Sequence, residues 1–393
     1  MDFYTEPAFF MLLLPIVGIA VVLGLAQKPL ARYGFAVSVA MLVLLFSRSL
    51  ASLAFLGCYL LLSCLLMRWV RHLFASKAPH AVGWYRVALA LQIAPLAVYK
   101  VGVVFDPSFL GFLGISYITF KAVQVLIETR DGLIEHLSGF EYLYFLIFFP
   151  TFTSGPIMRS RKFAADIDKP LSRDAYLERL YRGAGFFILG AVYKFVFSAM
   201  TAWLMWFAPS VIGTSTAGSF VLTQVVYALC YGLNLFFDFA GYSHMAVGVG
   251  MALGIEVPRN FRAPFLAVSI KDFWNRWHIT LSWWLRDFVF MRFSAAAFEH
   301  RWFKSPVAVA CVGFILNMTL MGAWHGLTIP YLVYGLFHGV LLALCELMER
   351  KWGFYKRNHK KRWFKVCSWA VTMVAVFFSL ALFSGQVFNP VLV

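Results

Sequence analysis

Long apolar runs, nearly free of charge, alternate along the chain with short polar segments rich in Lys and Arg. A helix crosses a bilayer with about 20 apolar residues. Runs near that length occupy residues 9–26, 34–46, 50–67, 87–105, 109–127, 186–208, 220–239, 306–324, 329–347 and 366–387. They predict an all-α, polytopic membrane protein with about ten crossings. Two further apolar stretches, 142–152 and 245–255, are too short to span. The first has cytoplasmic flanks on both sides and reads as re-entrant or interfacial.

Charge orients the spans. Lys28 and Arg32, then Arg68, Arg71 and Lys77, then the basic tract from Arg159 to Arg182, and finally the run 350–365 mark cytoplasmic segments by the positive-inside rule. The turn at Asp106 and the uncharged loop between 208 and 220 face outward. Ten crossings that start outside leave both termini outside, in agreement with the uncharged ending 388–393. The first run follows two acids and no Lys or Arg, so it reads as a retained span and not a signal peptide. No repeat or soluble linker divides the sequence, and residues 1–393 read as one integral-membrane domain.

Composition strengthens this picture. Of the 393 residues, 61% are hydrophobic and 13% charged, about half the charged share of a soluble domain. The net charge of +16, from 34 basic and 18 acidic residues, lies in the loops between spans. It therefore points to an anionic membrane surface and away from nucleic acid. Six scattered cysteines, with no CxxC, suggest small core residues and no zinc site. Walker, GxGxxG, HExxH and GxSxG motifs are absent, which removes the parts for nucleotide hydrolysis, zinc hydrolysis and serine esterase chemistry.

Four stretches remain with chemical potential. The segment 269–290, SIKDFWNRWHITLSWWLRDFVF, opens with a capping box from Ser269 to Asp272. A helical projection puts Phe273, Trp274, Trp277, Leu281, Trp284, Leu285 and Phe288 on one arc. Lys271, Asn275, Arg276, Ser282, Arg286 and Asp287 fill the other. This predicts one interfacial helix at the inner surface, with His278 at its seam. Either His278 is part of a site or it hydrogen-bonds within an amphipathic anchor. At the outer end of the span 306–324, NMTLMGAWHG carries His325 after a nearly uncharged run, the setting of a functional ionisable group or of a capping histidine. Asn317 is eight positions earlier on the same face, where it would orient His325. His338, in the next span, reads as a helix-packing hydrogen bond.

The third stretch, FDFAGYS, holds Asp238. Its burial at mid-bilayer costs about 3 kcal/mol, so the carboxylate lies near the interface or is paired, with Tyr242 or Ser243 as structural partners. The fourth, FPTFTSGPIMRSRKF, sets Arg159, Arg161 and Lys162 after a Gly155-Pro156 turn. It reads either as an acidic partner's landing site or as plain positive-inside charge.

In combination, GISYITFKAVQVLIETRDG (114–132), FPTFTSGPI, FDFAGYS, NFRAPF, KDFWNRWHITLSWWLRDFVFMRF, GAWHG and YGLFHG resemble the membrane-bound O-acyltransferases, and within them the branch that transfers D-alanine to teichoic acid. The likeness runs from Gly114 to His338. It departs at Met158, where similar sequences carry an acid. The resemblance implies a ring of helices around a thin centre, with a funnel from outside and a pocket from inside. It maps the family's catalytic histidine onto His325 and a second, cytoplasmic histidine position onto His278. It implies Asn275, Ser282, Asn317, Trp324 and Asp238 as substrate or donor contacts. Arg159, Arg161, Arg276 and Arg286 would dock an acidic D-alanyl carrier protein, whose phosphopantetheine thioester is the donor. No metal or cofactor bound by the chain itself is implied, and the acceptor is teichoic acid or an intermediate acceptor on a partner protein, in a bacterial plasma membrane. With His325 outside and the carrier inside, the two histidines are expected to stand too far apart to share a proton. Two rival functions are an alginate or peptidoglycan O-acetyltransferase of the same family, and a transporter whose buried polar groups line a path.

Overall fold

The computed structural model describes residues 3–106, 108–134 and 136–390, and among them every regular element is helical. In chain order these are α1 (Pro7–Leu25), α2 (Ala31–Leu45), α3 (Leu50–Ala75), α4 (Ala81–Phe105), α5 (Ile115–Arg130), α6 (Gly139–Ile147), α7 (Ser160–Asp168), α8 (Arg173–Val192), α9 (Ala199–Ile212) and α10 (Ala217–Ala252). They are followed by α11 (Ile270–Trp274), α12 (Ile279–Leu285), α13 (Met291–Glu299), α14 (Pro306–His325), α15 (Ile329–Lys351), α16 (Gly353–Asn358) and α17 (Arg362–Ser384). π-helical turns join α8 to α9 (Tyr193–Ser198) and α12 to α13 (Arg286–Phe290).

Eight helical segments among the described residues are long and apolar enough to cross a membrane. The other two expected crossings are also helices, but α2 has 15 residues and α5 has 16, short of a full crossing on length alone. The separation of 220–239 from 245–255 does not survive. The first and the second as far as Ala252 lie in the continuous 36-residue α10, because Tyr242 and Ser243 are buried within the helix and do not end it. The uncharged ending is described to residue 390, and Val393 lies outside the described residues.

The chain forms two compact units, Met1–Gly190 with Tyr242–Pro258, and Ala191–Gly241 with Arg259–Val393. In the first, the short α6 is held by a buried lysine. Lys121 on α5 donates to the carbonyls of Phe145 (3.1 Å) and Leu146 (3.5 Å) and to Thr151 Oγ1 (3.3 Å), so its ammonium satisfies carbonyls that the helix end leaves open. Ser138 and Glu141 close a reciprocal capping box at the other end. The 142–152 stretch is thus a short helix followed by a tight turn, Phe149–Thr151, and does not span.

In the second unit α14 packs extensively against α15. A Cβ on Gly322 would fall 2.3 Å from the Tyr331 carbonyl oxygen, and one on Gly335 would fall 2.4 Å from that of Met318. Only glycine permits this approach, the small-residue packing that lipid-embedded helices use. It fixes the end of α14 where Trp324 and His325 stand.

Candidate active site

The segment 269–290 is not one helix. α11 stops at Trp274, residues 275–278 turn, and α12 begins at Ile279. The break has a specific cause in the NFRAPF loop. Asn260 accepts the Ile279 amide at its carbonyl (2.8 Å), and its side-chain Oδ1 accepts from Thr280 Oγ1 (2.6 Å) and the Thr280 amide (3.3 Å). The Arg262 amide donates to the Arg276 carbonyl (2.9 Å). These bonds hold His278 in the left-handed region, at φ 43° and ψ 49°, a conformation that costs a non-glycine residue on the order of 1 kcal/mol or more and that clusters at functional sites. Asn260, 1% exposed, is a site residue that no local pattern singles out, because its partners are about twenty positions away. The Ser269 hydroxyl does accept from the Asp272 amide, but the Asp272 carboxylate reaches the Val268 amide instead of closing the box.

Although the helix is broken, the apolar arc is still buried, from Phe273 to Phe288. His278 is buried too and is not at a seam. Its ring meets Phe239 at 4.8 Å and the Trp324 indole at 6.4 Å, while Trp324 meets His325 at 4.6 Å. Both imidazoles therefore contact one indole, nearer to one another than placement at opposite membrane faces implies. The reason is tertiary: the Asn260 loop carries His278 inward, toward the end of α14. His325 is half-buried beside Tyr331, Tyr334 and Phe383, at 6.0, 6.4 and 5.0 Å.

Burial pushes the His278 imidazole down from its ordinary value to about 3, and neighbouring His325 adds to the fall. His278 is thus a neutral ring at physiological pH. Its Nδ1 is buried without a hydrogen-bond partner. Between about pH 6.5 and 3 the unfolded chain binds a proton at this histidine that the folded chain does not. Stability is then full above that window and falls as the pH drops through it. Replacing His278 by Gln should flatten that acid loss between pH 7 and 4 in thermal unfolding of the detergent-solubilised protein. Superimposable pH profiles for the two proteins would contradict the burial of the ring.

The other candidates divide into separate places. Asn275, Ser282, Arg286 and Asn317 line one cavity of about 290 Å³, together with Lys271 and Trp274. Asn317 does not orient His325, since eight helical residues set them about 12 Å apart along the axis. Its side-chain Oδ1 is buried without a partner. Asp238 pairs with Lys194 (2.5 Å), an ion pair in place of the expected Tyr242 or Ser243 contacts. Tyr242 instead bonds Thr153. His338 accepts the Trp274 indole N–H at Nδ1 (3.2 Å), tying α11 to α15 as a packing hydrogen bond.

Among the arginines, Arg276 is held by Asp272 at 2.7 Å, and Arg286 by Asp287 at 2.8 Å. Arg159 occupies the N-cap position of α7, and Arg161 approaches the buried Glu128 carboxylate at 3.8 Å. Met158 is buried, an apolar position. No cluster of metal-ligating side chains occurs among the described residues.

The model of the membrane-bound O-acyltransferase family matches residues 38–392. This chain belongs to that family. It is a multi-pass membrane acyltransferase. Among its relatives is the teichoic acid D-alanyltransferase of Bacillus subtilis, 36% identical over 98% of each chain. That of Streptococcus thermophilus is 39% identical over 75% of this chain and 74% of its own. A probable alginate O-acetylase of Pseudomonas syringae is 31% identical over 70% of this chain, which covers only 49% of that protein.

Proposed function

We propose that this acyltransferase moves a D-alanyl group from the phosphopantetheine thioester of an acidic carrier protein to a hydroxyl, on teichoic acid or on an intermediate protein acceptor. The reading is carried by similarity to teichoic acid D-alanyltransferases over nearly the whole chain. The alginate-type relatives match over a smaller share of both partners.

Chemically, the thioester carbonyl is attacked by the acceptor oxygen, whose proton goes to a base. The tetrahedral oxyanion then collapses, the C–S bond breaks, and the thiolate leaves and takes up a proton. His325 is the base. It stands at the end of α14, held by the Gly322–Gly335 contact, and a positioned base of this kind contributes about 10² to 10⁴ in rate. His278, neutral and buried, orients the donor through Nδ1. Asn275, Ser282 and Asn317 bind the arm along the cavity they share, and Trp324 sets the spacing of the two imidazoles.

The basic segments face the cytoplasm in this reading and both termini face outward, in a bacterial plasma membrane. Only acyl chemistry then crosses the bilayer. Arg159, Arg161, Arg276 and Arg286 steer the carrier, an attraction that salt screens. Arg286→Glu and Arg159→Glu should each weaken carrier binding by about 1 kcal/mol or less at physiological salt, and by more at low salt, without changing thermal unfolding. Unchanged carrier affinity in both variants at low salt would remove these faces from the docking surface.

The donor class is tested with the full chain in nanodiscs, given carriers loaded with either D-alanine or acetate. Faster consumption of the D-alanyl thioester is expected. Consumption of the acetyl thioester alone would favour an O-acetyltransferase.

A further inference from the structure

The segment from Arg350 to Lys365 contains eight basic residues and no acid. Arg350 is engaged by Glu346, and the nearby Glu349 is engaged by Lys271. Among the described residues, Lys351, Lys356, Arg357, Lys360, Lys361, Arg362 and Lys365 form no ion pair, and all seven are exposed. Seven cations without internal counter-charge attract an anion from outside the chain. Trp352 and Trp363 stand among them, each about half exposed, as tryptophans stand at headgroup level.

Beneath this run lies a groove of about 510 Å³ between α15 and α17. Leu344, Met348, Val371 and Ala375 form its apolar wall, and Tyr355, His359 and Lys365 line it near the basic segment. Leu344, Met348 and Val371 are exposed, so the groove opens along the faces of two membrane helices. A soluble acidic protein would use the charges but not this wall. An amphiphile with an anionic head and hydrocarbon tail uses both.

We propose that the ends of α15 and α17 joined by the basic run form a binding site for an anionic phospholipid. The cations around Lys361 and Lys365 hold its phosphate, and one acyl chain lies in the groove. Unlike a diffuse attraction to the inner leaflet, this site depends on charge and groove together.

The test is lipid retention by the full-length protein, measured by native mass spectrometry after exposure to equimolar phosphatidylglycerol and phosphatidylcholine with identical chains. Preferential retention of phosphatidylglycerol is expected. The double variant K361Q/K365Q should lower that preference roughly fivefold for each charge removed. Ala375→Phe, which fills the groove, should lower phosphatidylglycerol retention with the cations intact. Leu344→Trp, at an exposed wall position, does the same if Ala375→Phe fails to fold. Free glycerol phosphate should not compete at concentrations where the lipid saturates. Equal retention of the two lipids by the unaltered protein would overturn the proposal. So would phosphatidylglycerol binding that survives both groove variants. Displacement by glycerol phosphate, or by an acidic carrier protein, would assign the patch to a soluble anion and overturn it equally.

Discussion

His325→Ala is expected to abolish D-alanyl transfer while carrier binding and thermal unfolding stay near those of the unaltered protein. In the proposed mechanism the variant removes the proton acceptor for the attacking hydroxyl, and a loss of about 10² to 10⁴ in rate is expected from a positioned base. The side chain is half-buried among Trp324, Tyr331, Tyr334 and Phe383, so its truncation leaves the α14–α15 backbone contact untouched. His278→Ala has a different signature. It is expected to lose donor engagement and keep residual chemistry, because in the proposed mechanism its ring acts on the donor and not on the acceptor proton. Since both rings contact one indole, the two variants together distinguish a base from a positioning group: His325→Ala lowers the rate at saturating carrier, and His278→Ala raises the carrier concentration needed. Near-normal turnover by a His325→Ala protein that still binds carrier would move the base to His278 or to a partner.

Gly335→Leu is expected to cost the protein both stability and activity without touching a reacting group. Even a Cβ at this position would lie 2.4 Å from the Met318 carbonyl oxygen and 3.0 Å from Gly322 Cα, and backbone cannot yield as a flexible side chain can. Overpacking of this kind costs about 1 to 3 kcal/mol, and a leucine adds volume beyond the first carbon. Displacing α15 from α14 also displaces His325 from Tyr331 and Tyr334. A lower unfolding temperature and a transfer rate reduced at all carrier concentrations are the expected readings. A Gly335→Leu protein with normal melting and turnover would show that the close approach does not position the site.

Hydropathy made most of the spans legible, because lipid demands about 20 apolar residues wherever a helix crosses. It failed at α10, where the polar Tyr242-Ser243-His244 sequence looks like a span boundary but is buried inside a continuous helix. Periodicity in 269–290 correctly selected the buried arc. It could not reveal the turn at His278, which exists because Asn260 supplies hydrogen bonds from a distant loop. The same long-range pairing explains why the two histidines meet at one tryptophan. Their spacing in sequence carries no trace of that contact. Asn317 shows the converse: its helix face was legible, but its polar neighbours, Ser282 and Arg286, come from another element.

The central claim, His325-dependent D-alanyl transfer from a carrier thioester to a hydroxyl, is tested most directly by a single turnover in vesicles. Carrier loaded with isotopically labelled D-alanine is presented on the side of the basic loops, and a hydroxyl acceptor on the other. The account predicts that label leaves the carrier and appears on the acceptor as a base-labile ester, and that it does neither with His325→Ala. Label that remains on the carrier with the unaltered protein, or that moves equally well with His325→Ala, would contradict it.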